Sequence, residues 1–249
     1  MTNYTKMKLL VAFLILLPVT LWAHNSTKEE STISKVLKQL DLKEADVYAN
    51  LYVETVSPYS DDNTIMIIPI YTGTEIDNEQ QDAYILIVDN VSGKILNKYY
   101  EPKIQSAELP LLINIEIDTV NYKLNENIQA FGVRLYYTMH SRVNPQITTE
   151  LSLFIPQDES LQKVLNSYPV YEYIGEVNDL EICLSWFMYF ESTVTVDKKK
   201  TNGFSDLTIK DIIISEHDCD EETKYQVQRL QYNGNEYIFE EKNIYELAQ

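Results

Sequence analysis

The feature that most constrains this chain is its hydrophobic period, which changes to two beyond about residue 60. Ile113, Ile115 and Ile117 would share one side of a strand, and Asn114, Glu116 and Asp118 the other, because successive side chains of an extended backbone point to opposite faces. Phe131, Val133, Leu135 and Tyr137 repeat the pattern, as do Ile147, Thr149, Leu151, Leu153 and Ile155. No helical segment separates these runs, and parallel pairing would need crossovers of about a dozen residues or more. An antiparallel meander is therefore expected.

Ile65-Met66-Ile67-Ile68 and Tyr84-Ile85-Leu86-Ile87-Val88 are continuous apolar runs, expected as strands buried on both faces. The second enters Asp89-Asn90-Val91-Ser92-Gly93 and leaves through Lys94-Ile95-Leu96. That pattern predicts a hairpin in which Gly93 takes the positive φ of the turn. The segment from Asp89 to Ile95 resembles a hairpin of small exported β modules, including the PepSY type.

Ahead of the strands, Thr27 and Glu30 have capping-box spacing, and Ile33, Val36, Leu37 and Leu40 follow at helical intervals. They predict one amphipathic helix from about Lys28 to Leu42, with its apolar stripe on a sheet. A short internal helix is predicted from Asp158-Glu159, with Leu161, Val164 and Leu165 on one side and Asn166 as its stop. Strands resume at Val170-Tyr171-Glu172-Tyr173 and from Cys183 to Val196. Trp186, Phe187, Tyr189 and Phe190 in that second run read either as core or as an exposed contact surface. The fold class is thus mainly β, of α+β kind: antiparallel sheets with one N-terminal amphipathic helix and one short internal helix.

Lys6 and Lys8 precede an apolar run from Leu9 to Val19, closed by Leu21-Trp22-Ala23 before His24. The order basic, apolar, small, polar predicts a signal peptide over residues 1–23, cleaved after Ala23; an uncleaved anchor is the alternative. Both place the body in the periplasm or outside the cell. No later stretch reaches spanning length. Asn25 and Asn90 also sit in glycosylation-acceptor patterns, relevant only where the source glycosylates.

The net charge is −18, and removing Lys6 and Lys8 with the leader makes it −20. Nucleic acid is excluded as an expected partner, since Lys198-Lys199-Lys200 is the one basic run and has no interleaved aromatics. Such a charge steers a cationic protein surface toward the chain. The two cysteines, Cys183 and Cys219, are expected to form a disulfide in an oxidising compartment; two buried thiols are the alternative.

From Asp197 the sequence runs through three lysines to Asn202-Gly203-Phe204-Ser205-Asp206-Leu207, and a second hairpin surrounds Asn233-Gly234. Residues 197–241 resemble one degenerate repeat of the FG-GAP or VCBS type, seen at the C-terminus of many exported bacterial proteins. The resemblance implies a β hairpin module and, in such repeats, acidic calcium ligands at alternate positions. Lys198 and Lys200 stand at those positions, so no calcium site is expected although Asn202 and Asp206 remain. The expected organisation is a signal peptide (1–23), a β-rich main domain with the N-terminal helix (24–196) and a C-terminal hairpin subdomain (197–249).

The chain has three histidines, His24, His140 and His217, and no zinc-ligand spacing. His217-Asp218-Cys219-Asp220-Glu221-Glu222 reads as an acidic loop rather than a metal cage. No nucleophile elbow or phosphate loop can be written with six glycines so placed. Neither catalytic, metal nor cofactor residues are expected. The leading expectation is an exported acidic protein-binding module, an inhibitor or immunity-type factor for a basic envelope partner. The alternatives are a secreted hydrolase using two carboxylates from separate strands and a structural envelope component.

Overall fold

The computed structural model describes residues 30–72, 80–106, 108–176, 185–217 and 219–240. The expected signal peptide over residues 1–23 and Cys183 lie outside the described residues.

Among the described residues, one α-helix, α1 (Thr32–Gln39), precedes twelve strands. They are β1 (Val53–Ser57), β2 (Ser60–Tyr71), β3 (Gln81–Asp89), β4 (Ile95–Gln105), β5 (Leu111–Lys123), β6 (Gln129–Met139), β7 (Gln146–Gln157) and β8 (Ser160–Glu176). β9 (Trp186–Thr201), β10 (Phe204–His217), β11 (Asp220–Tyr232) and β12 (Tyr237–Ile238) complete them. β1 through β4 pair in order, β5 through β8 form the expected antiparallel meander, and β8 through β12 pair in order. β8 joins all three groups. It meets β7 and β9 antiparallel and β4 parallel, through Lys98 and Ser160. The architecture is therefore one mixed, mostly antiparallel sheet rather than several antiparallel sheets.

Both continuous apolar runs are buried on both faces. Ile65, Ile67, Ile85 and Ile87 pack against Ile115, Phe131, Val133 and Phe154 of β5–β7. Met66, Ile68, Leu86 and Val88 pack instead against Val36 and Leu37 of α1. The helix is shorter than its periodicity suggests, because Ser31 rather than Thr27 is its N-cap and accepts the Ser34 N–H, while Asp41 at φ 55° follows its last turn. Gln39 locks it to the β3–β4 hairpin, donating to the Gly93 carbonyl (2.7 Å) and accepting the Ile95 N–H (3.1 Å). Gly93 is required there, since it adopts φ +72° and an added Cβ would lie 2.7 Å from Lys35 Cδ.

The expected internal helix at 158–166 is a strand. Leu161, Val164 and Leu165 belong to β8, which shifts register against β7 beside Ser167 (φ 47°). Inserted residues stretch a period of two into the three-and-four spacing that resembles a helix. A shift in β5 likewise turns Ile113 outward and draws Asp118 inward, reversing the expected faces of both. Asp118 there accepts Arg134 Nη2 (2.7 Å) and Tyr122 OH (2.9 Å), so its buried charge is paired.

β9 and β10 turn through Asn202-Gly203, at φ 50° and 89°, the positive-φ pair suited to a tight hairpin. β9 runs unbroken across residue 197. Residues Ser31–Gln249 cluster as one compact unit.

Candidate functional site

Two surfaces carry unexplained chemistry, one inside and one outside. On β7, Glu150, Ser152 and Phe154 look toward the β2–β4 layer. Their position follows from the register shifts between β7 and β8. The displaced Ser167 donates its N–H to Ser152 Oγ (2.9 Å), and its side chain hydrogen-bonds the Glu150 carboxylate. Beside them lies a cavity of about 260 Å³. Its floor is Ile67, Ala83 and Ile85 on one side and Ile115, Val133 and Phe154 on the other; Glu101, Tyr137, Glu150 and Ser152 supply its polar wall. That volume corresponds to roughly nine water molecules.

The charges at the wall are unequal. Lys163 forms an ion pair with Glu101, and both are largely shielded from solvent. Its ammonium also lies over the rings of Tyr99 (5.3 Å) and Phe154 (5.7 Å). Among the described residues, Glu150 forms no ion pair. Burial pushes its carboxyl above the usual range, the Ser167 hydrogen bond and Lys163 pull it back, and Glu101 pushes it further up. Tyr137 OH donates to the Ile104 carbonyl (2.9 Å), and burial holds its phenol well above the usual range. Lys103 reaches the rim from an exposed position.

The outer surface is built by the β8–β11 register. One row runs Tyr171, Glu191, Ile212, Tyr225; a second runs Tyr173, Tyr189, Ile214, Thr223; a third sets Thr193, Lys210 and Val227 side by side. Residues directly opposite across antiparallel strands share a face. Tyr225 is 77% exposed, Val227 67% and Ile212 42%, while Phe190, Ile209 and Ile213 on the opposite face are buried. Among the described residues, the outer edge of β11 pairs only at Gln231 and Tyr232. The aromatic segment of β9 thus divides by parity. Phe190 enters the core, whereas Phe187 and Tyr189 remain half-buried on the outer face, their rings 6.2 Å from Tyr173 and Tyr171 respectively.

Cys219 lies at the β10–β11 turn with φ 67°, while its expected partner Cys183 is outside the described residues. Lys198 and Lys200 are exposed on β9, and Asn202 donates to the Tyr232 carbonyl. Asp206 is fully buried, and among the described residues neither of its carboxylate oxygens has a hydrogen-bond partner. The described residues contain no group of three or more His, Cys, Asp or Glu side chains able to hold a metal. Also among them, no helix is long and apolar enough to cross a membrane. Sequence reasoning missed Glu101, Glu150 and Lys163. The available signal was position: Glu150 adjoins Leu151-Ser152-Leu153-Phe154-Ile155, a stretch too apolar for one wet face.

Compared with known proteins, the chain matches no family model, no curated protein and no solved structure.

Proposed function

We propose that this chain is an exported, acidic, non-enzymatic binding module that holds a basic protein on the three-row face of β8–β11, as an inhibitor or immunity-type factor would. The observation that carries this reading is the exposure of Tyr225 and Val227 beside Ile212 on an incompletely paired edge strand. Large apolar groups of this kind, side by side at a sheet edge, suit a partner that both covers them and extends the strand pairing. The charge selects the partner's sign. Glu191 lies within the rows, and Asp220, Glu221 and Glu222 crowd the adjoining turn, on a chain of net charge −18.

The hydrolytic alternative has its two carboxylates in Glu101 and Glu150. Against it, Lys163 neutralises Glu101, and a space of roughly nine waters is smaller than two sugar rings flanking a glycosidic bond. The test compares the wild type with the double variant Tyr225→Glu/Val227→Glu, each immobilised and exposed to envelope extract of the source organism. A basic protein should be retained by the wild type at low salt, released as salt rises, and absent from the variant. Equal recovery on both surfaces, or no salt-sensitive capture, would overturn the reading.

A further inference from the structure

We infer that the cavity between the β2–β4 and β5–β7 layers is a binding site for a small primary amine with an apolar body, its ammonium held by Glu150. Three features of the cavity fix this class of ligand.

Size comes first. About 260 Å³ admits a short alkyl or single-ring molecule and nothing larger. Polarity comes second, since Ile67, Ala83, Ile85, Ile115 and Val133 leave most of the wall unable to hydrogen-bond, and a ligand must present hydrocarbon to it.

Charge and hydrogen-bond sense come third. The Tyr137 hydroxyl has already donated to Ile104, so the Tyr137 oxygen and the Glu150 carboxylate offer lone pairs to the cavity. The shielded ammonium, Lys163, is committed to Glu101. Among the described residues Glu150 is thus held by no ion pair, Lys163 acting on it only from its place on Glu101 and Lys103 standing at the exposed rim. A primary ammonium supplies three donors and one positive charge, matching that deficit. An alcohol supplies a single donor and no charge. A carboxylate ligand would meet Glu150 and Glu101 as like charges.

The acidic surface could collect amines without specificity, so the test locates the site as well as measuring affinity. Titration calorimetry at pH 7 in about 0.15 M salt, where surface attraction is screened, uses n-hexylamine, hexan-1-ol and hexanoate. The wild type should bind the amine at least about tenfold more tightly than the alcohol, and hexanoate least of all. Glu150→Gln should remove the preference for amine over alcohol, and Val133→Phe, which fills the cavity, should abolish binding of both. If Val133→Phe loses its native near-ultraviolet circular dichroism, Ser152→Leu fills the cavity from the paired position on the neighbouring strand and carries the same expectation. Failure of the wild type to bind the amine, equal affinity for amine and alcohol, or amine affinity unchanged in Glu150→Gln or in the filled variant would overturn the inference.

Discussion

Burial raises the Glu150 carboxyl above its ordinary value of 4.5, so the folded chain holds that proton more tightly than the unfolded chain does. The stability this group contributes is therefore complete below the ordinary glutamate range and is lost as pH climbs through the raised one. Glutamine keeps the acceptor for Ser167 but carries no charge to desolvate. Glu150→Gln should consequently melt higher than the wild type at pH 8, by on the order of 1 kcal/mol of added stability, and the two melting curves should converge near pH 4. Calorimetry across that range checks it, and a variant less stable at pH 8 would show that Lys163 outweighs burial. Asp118 makes the contrasting case. It is more deeply buried than Glu150, yet Arg134, Tyr122 and the Val120 N–H use its lone pairs, so its charge needs no ligand.

Elements were legible where one simple period held. The runs Ile65–Ile68 and Tyr84–Val88 alternate between two cores, β6 and β7 keep their alternation, and α1 keeps its stripe. Legibility failed where register shifts interrupt a strand. The first half of β8 imitates a helix, and Asp118 and Ile113 exchange faces, because each extra residue inverts everything after it. The cavity was illegible for the same reason, since Glu150 and Ser167 meet only through those shifts. The junction of β4 with β8 was also hidden, for it rests on side chains more than on a ladder: the Lys163–Glu101 ion pair and the buried amide of Asn97. Asn97 Nδ2 donates to the carbonyls of Asp158 (2.7 Å) and Ser160 (3.0 Å), beside a ladder of a single residue pair. Asn97→Ala should leave those carbonyls unpaired and lower stability by about 1–3 kcal/mol. Urea unfolding measures this, and an unchanged midpoint would mean that the Lys98 pairing and the Lys163–Glu101 ion pair secure the join without it.

At the scale of the whole molecule, the long β9–β10–β11 ladder explains why a covalent tie would fall where the cysteines are. β9 and β10 pair along most of their length, and the last described pair at the far end is His217 with Trp186. Cys219 follows His217 by two residues, and Cys183 precedes Trp186 by three. The register therefore ends with His217 beside Trp186, at the end of the ladder away from the Asn202-Gly203 turn that closes β9 onto β10. A disulfide between Cys183 and Cys219 would close a loop of about 36 residues and stabilise the fold by about 3–4 kcal/mol. Such a bond persists in an oxidising compartment, as the proposed export would supply. Protein recovered from the envelope and unfolded in denaturant should show no thiol to a colorimetric reagent until reductant is added, and two thiols afterwards. Reduction should shift the urea midpoint down while leaving the separately stabilised β2–β3–α1 layer to unfold last by hydrogen exchange. Two reactive thiols before reduction would rule out the covalent tie.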